Sequence, residues 1–141
     1  MCGKEALMKT IKCFSLFFLL LAASCKEKSN PTEPARDYRY LIQSWTNSFE
    51  EQVDSIQVYR PSHYKQYAVA RFRGKYEFLK DGTCNYLVLS PTDAHYMEVG
   101  RWSILSRDEN MIGVFDTAGA LYRKMRILEL QQEFLRFIYI N

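Results

Sequence analysis

Cysteine is scarce in this chain, histidine is scarcer, and no apolar run is long enough to cross a bilayer. Four Cys and two His occur in 141 residues. The longest apolar stretch, "CFSLFFLLLAA" from Cys13 to Ala23, has about eleven residues, against the roughly 20 that a transmembrane helix needs. The six glycines build no phosphate-cradling loop. There is no Gly-x-Ser-x-Gly elbow, no His-Glu-x-x-His and no paired spacing of metal ligands. These absences count against common hydrolases, nucleotide enzymes and zinc proteins. Charge of one sign is missing too: beyond the first 24 residues the chain carries 16 basic and 15 acidic side chains. A nucleic-acid partner would want a basic stripe. No metal, no cofactor and no nucleic acid is therefore expected.

The N-terminus holds the clearest signal. Lys9 and Lys12 precede the apolar stretch, whose length suits the h-region of a signal peptide, and Met8 is a plausible alternative start. "AASC" follows, with small residues at Ala22 and Ser24. The segment "LLAASC" resembles a bacterial lipobox, although Ala22 stands where Leu is usual and Leu21 is one place early. That resemblance implies lipidation of Cys25; the alternative is ordinary cleavage before an unlipidated Cys25. Residues 1–24 then read as a lipoprotein signal peptide. Residues 25–37, with the polar "KEKSNPTEPARD", read as the lipidated Cys and a flexible linker. Residues 38–141 read as the folded domain. Cys2 and Cys13 leave with the leader, and Cys84 alone remains, so the 117-residue mature chain has no intramolecular disulfide and relies on its core. The predicted location is the bacterial cell envelope. Lys26, not Asp, follows Cys25, which favours the outer membrane over the inner.

From Tyr38 onward aromatic and β-branched residues alternate with turn signals every ten residues or so, the pattern of an all-β sandwich or barrel. Leu41, Trp45, Phe49 and Val53 recur every four residues. We read a short helical or irregular lead-in near residues 38–43 and a strand through residues 45–51. "IQVYRP" is a short strand stopped by Pro61, and "SHYKQYAV" is a loop. "ARFRGKYEFLKDGTCNYLVLS" is a hairpin around Asp81-Gly82. It places Phe72, Gly74, Tyr76 and Phe78 on one face and Arg71, Arg73, Lys75 and Glu77 on the other. A three-residue loop that pairs Phe78 with Cys84 is preferred to a two-residue turn, because it buries Cys84, Tyr86 and Val88. "YMEVGRWSIL", "NMIGVFD", "LYRKMRILEL" and "EFLRFIYI" follow as strands. The last is apolar on both faces, as in a strand that closes a barrel. About eight strands result, the number of a small antiparallel up-and-down barrel.

Three constellations could carry chemistry. Asp93 and His95, in "LSPTDAHYMEVGRW", could form an oriented base, but no nucleophile accompanies them, and an Asp after Pro91 is ordinary turn chemistry. Glu50 and Glu51 on a strand would point to opposite faces, so one would face inward and need a partner. Arg60, Arg71, Arg73 or Arg101 could supply it bidentately, as a structural ion pair or as part of a ligand site. Trp45 and Trp102 either stack on a ligand or fill the barrel floor. Tyr59, Tyr64, Tyr67 and Tyr96 fall near predicted loops, and Cys84 reads as a small core residue.

"WTNSFEE", "VYRP", "RFRGKYEFLKDGT", "SPTD" and "GRW" together resemble a group of small bacterial proteins and lipoproteins with a lipocalin-like look. Asn47 stands where similar chains often have His, and the domain is shorter than a full lipocalin. The resemblance implies a calycin-like barrel and brings no catalytic residue with it. The expected function is that of a non-enzymatic, lipid-anchored envelope protein, bound to the membrane through its N-terminal lipid and binding a small or hydrophobic ligand. The alternative is a protein-interaction module of the envelope with a filled barrel and no ligand. Trp45, Glu50, Glu51, Arg60, Arg73, Asp93, His95 and Trp102 are the candidate ligand or ion-pair residues.

Overall fold

A computed structural model describes residues 36–141 apart from Asp93. The predicted leader, Cys25 and the linker up to residue 35 lie outside the described residues. After a 3-10 turn at Tyr38–Leu41 come β1 (Ser44–Asn47), a second 3-10 turn at Phe49–Glu51, and β2 (Gln57–Pro61). Then follow β3 (Lys75–Phe78), β4 (Thr83–Leu89), β5 (His95–Ser106), β6 (Met111–Phe115), β7 (Leu121–Gln131) and β8 (Phe134–Ile140). These eight strands form a closed barrel in the order β1-β2-β8-β7-β6-β5-β4-β3, antiparallel at every seam. The all-β, eight-stranded barrel expected from the spacing of turn signals is the fold.

Alternation places the core. Cys84 and Tyr86 on β4, Met125 and Ile127 on β7, and Leu135 and Phe137 on β8 are all buried and two residues apart. The intervening positions face outward, as period-2 geometry requires. The hairpin register is Phe78 opposite Cys84, the three-residue form. Gly82 takes the left-handed conformation (φ +86°), where an L side chain is strained. The Asp81 carboxylate accepts the Thr83 N–H at 2.8 Å.

From β3 to β8 each strand pairs with the next. β1 departs from that simple order, because it lies between β2 and β3. β2 and β3 therefore run the same way, and residues 62–74 must travel back along the barrel outside β1. The return explains why Thr46, an outward position between Trp45 and Asn47, is only 3% exposed. Its hydroxyl bonds that of Ser62 at 2.8 Å.

The two ends of the barrel differ. At one end, the N-terminal turn and the β3–β4, β5–β6 and β7–β8 turns gather. Here Leu41, Trp45 and Phe78 are fully buried. The Trp45 indole N–H donates to the Leu41 carbonyl at 3.0 Å. The Trp102 indole donates to the Leu79 carbonyl at 2.9 Å, and its ring meets Phe78 edge-on at 5.7 Å. Burial of each such side chain contributes about 1.5–3 kcal/mol. This end is plugged. The β1–β2, β4–β5 and β6–β7 connections and Asn141 lie at the other end, which is open.

Candidate functional site

The open end holds a pocket of about 710 Å³. Its walls include Tyr59, Tyr76, Tyr122 and Tyr139, with Asn47 and Gln57 beside them. Lys75, Arg123 and Lys124 also line it, as do Phe72 and Leu121. Tyr59, Tyr76 and Tyr139 reach it from inward positions of their strands, toward the ends away from the plug, and Tyr122 from the register shift between Arg123 and Leu121 on β7. Tyr59 packs on Tyr76 (5.7 Å between centroids) and on Phe137 (5.2 Å). Tyr76 stacks on Phe78 at 5.7 Å and Phe137 meets Tyr139 at 5.2 Å. These contacts form the floor that separates the pocket from the plug.

The pocket is aromatic and hydrogen-bonding at once. The Tyr76 and Tyr139 hydroxyls lie 3.1 Å apart. Burial holds the phenols of Tyr59 and Tyr76 well above their usual range, and Tyr122 is raised for the same reason, so these groups stay neutral donors and acceptors. Tyr86 stacks on Tyr122 at 4.4 Å. Its own phenol is pushed up to about 12 by burial, and its buried hydroxyl has no hydrogen-bond partner among the described residues. Gly74 lets the returning chain pass over this wall, since a Cβ there would press on the Tyr59 hydroxyl. Asn47 is 8% exposed and donates from Nδ2 to the Val58 carbonyl at 3.2 Å.

The candidate residues named from sequence divide among three places. Trp45 and Trp102 belong to the plugged end, where backbone carbonyls use both indole N–H groups. His95 stands at the open end as the first residue of β5, exposed, with its ring 5.6 Å from that of Phe72. Asp93 lies outside the described residues. The neighbouring turn is held by Ser90 and Thr92, whose hydroxyls are 2.9 Å apart.

Glu50, Glu51, Arg60 and Arg73 do come together, on the outer wall of β1 and β2. The expected strand through residues 45–51 stops at Asn47, and both carboxylates lie on the second 3-10 turn. Neither points into the barrel: their side chains are 38% and 34% exposed. Leu41 and Trp45 are core, whereas Phe49 and Val53 are 43% and 60% exposed. The four-residue recurrence thus spans three different elements. Arg73, read as an outward strand residue of the hairpin, precedes β3 and is 9% exposed.

Each carboxylate is gripped by its own guanidinium. Arg73 Nη2 and Nη1 donate to the two Glu50 oxygens at 2.8 and 3.1 Å, and Arg73 also caps the Asn47 carbonyl at 2.8 Å. Its guanidinium lies over Phe49 at 4.1 Å and Tyr67 at 5.1 Å. Arg60 Nη2 and Nε donate to Glu51 at 2.6 and 3.1 Å, and its guanidinium lies over Phe134 at 4.3 Å and Tyr64 at 4.6 Å. Hydrogen bonds from Arg73 and Arg60 hold the two carboxyls down, from an ordinary 4.5 to about 2. Both are anions fastened by forked donors. The arrangement clamps the returning chain to the barrel wall, and neither carboxyl is tuned to give or take a proton near neutral pH. The fragments "FEE", "VYRP" and "RFRG" are therefore joined by structure.

Tyr76 was read only as sharing the Phe78 face of the hairpin, and Tyr122 and Tyr139 were not picked out as site residues by sequence reasoning. Their signal was a strand position, inward or at a register shift, on the side of the barrel away from the N-terminal turn, which requires the topology to read. Among the described residues no group of three or more His, Cys, Asp or Glu is placed to hold a metal ion. No family model, no curated protein and no solved structure matches this chain.

Proposed function

We propose that the protein is a lipid-anchored, non-enzymatic component of the bacterial envelope that binds a small amphipathic ligand in the open end of its barrel. The observation that supports this reading is the division of the barrel into a plugged half and a pocket of about 710 Å³. That volume falls within the 300–1,000 Å³ typical of small-molecule sites. Anchoring rests on the lipobox resemblance at Cys25, and the bacterial, lipocalin-like character on the motifs quoted above. The test is extraction of small molecules from the full chain purified out of its native membranes. Leu121, 51% exposed on the rim, is the place to block the mouth. A compound enriched with the wild-type chain should be lost from Leu121→Trp. Equal recovery from both, or none from either, would sink the reading.

One observation favours an interaction module instead. Leu89, Met97 and Val99 expose 49%, 45% and 55% of their surface on neighbouring positions of β4 and β5. A stoichiometric protein partner that is lost on Met97→Lys and retained in Leu121→Trp would move the proposal to that face.

A further inference from the structure

We infer that the pocket selects a planar aromatic anion, its ring against Tyr139 and Phe72 and its charge at Arg123, with Lys75 and Lys124 on the rim beside it. This rests on the pocket reading above and narrows it to a ligand class.

The charge of the lining comes first. Three cations and no Asp or Glu line the pocket: Arg123 at an inward position opposite Val114, and Lys75 and Lys124 at outward positions on its rim, opposite Thr46 and Gly113. Among the described residues none of the three cations forms an ion pair. The inward-facing Glu98 pairs across the strands with Tyr86 and does not line the pocket. Arg123 is already posed: it lies over the rings of Tyr122 at 4.6 Å and Tyr139 at 5.7 Å. One of its donors is used by the Tyr122 carbonyl at 3.2 Å, which leaves the rest of the fork for a carboxylate or sulfonate.

The hydroxyls add a donor. The Tyr139 hydroxyl lies within hydrogen-bonding reach of that of Tyr76. Two phenols joined by one contact have one O–H left over, and an anion accepts it well. The shape of the floor decides the body of the ligand. Tyr139 and Phe72 line the pocket with rings that are 37% and 42% exposed, which favour offset stacking of another ring. A long alkyl chain would need a dry tunnel deeper in the barrel. Phe78 and Phe137, both fully buried, fill that space, and an alkyl chain over the phenols would leave their polar atoms unpaired.

Two dyes that share a ring system separate these contributions: 8-anilinonaphthalene-1-sulfonate and uncharged N-phenyl-1-naphthylamine. The full chain in nanodiscs is titrated with each, with empty nanodiscs as the blank. The sulfonate should bind 1:1 about tenfold more tightly than the neutral dye, and Leu121→Trp should abolish both signals. The triple variant Lys75→Gln, Arg123→Gln, Lys124→Gln, with its folding checked by circular dichroism, should lose about tenfold for the sulfonate alone. Three partly exposed charge pairs sum to about that much. Equal affinities for the two dyes, or a triple variant without effect, would overturn the charge preference while leaving the pocket reading intact. Displacement by a long-chain fatty acid as tight as the sulfonate would overturn the aromatic preference. Failure of both dyes to bind in a way sensitive to Leu121→Trp would take the pocket reading down as well.

Discussion

Gly100 shows how much a single position settles. It faces inward opposite Cys84, and a Cβ there would run into the Phe115 carbonyl oxygen and approach Tyr86 Cε1 at 2.9 Å. The Phe115 carbonyl is backbone and cannot step aside as a flexible side chain would. Gly100→Ala should therefore destabilise the fold by about 1–3 kcal/mol, the usual cost of overpacking. A shifted urea midpoint with an unchanged slope would show it; a midpoint within about 0.5 kcal/mol of the parent would mean that the strands give way freely. The Gly-x-Trp pair was legible as a strand motif. What its neighbours do was not legible. That Gly100 makes room for Tyr86 while Trp102 plugs the far end depends on which strands pass on either side.

At the scale of elements, local chemistry was read well where it is local. Asp81-Gly82 specified its loop, because a left-handed Gly and an Asp that bonds two residues ahead need no distant partner. The segment around Phe49–Glu51 was not readable in that way. Its carboxylates are positioned by arginines 9 and 23 residues further on, and the chain that carries Arg73 arrives only because β1 lies between β2 and β3. The two clamps have a pH signature. Each carboxyl has its proton affinity lowered in the folded state, from 4.5 to about 2. The stabilisation is therefore complete above about pH 4.5 and fades as pH falls through about 2. Glu50→Gln combined with Glu51→Gln should melt below the parent at pH 7, and the gap should narrow between pH 4.5 and pH 2. Both side chains are about one-third exposed, so the gap should also shrink with added salt. Melting curves that keep the same separation down to pH 2 would refute a role for these pairs.

At the scale of the whole molecule, the strand count and the all-β class were visible in alternation and turn spacing, which are properties of the chain read in order. The asymmetry of the barrel was not. Tyr76, Tyr122 and Tyr139 lie on β3, β7 and β8, and only closure of β8 onto β2 and of β1 onto β3 sets them around one mouth. The proposed anchor belongs to this scale too. Replacing Cys25 by Ser should release the protein from membranes and abolish incorporation of a palmitate analogue; unchanged attachment and labelling would remove the lipid from the proposal.

The chain reaches the barrel at residues 36 and 37, directly ahead of the turn whose Leu41 underlies Trp45. Any pull along the N-terminal side is therefore borne by the stopper. The Tyr76–Tyr139 pair, at the opposite end, carries none of that load. With the anchor proposed at Cys25, the barrel would be a cup tethered through its base, its ligand-facing mouth outside the line of load.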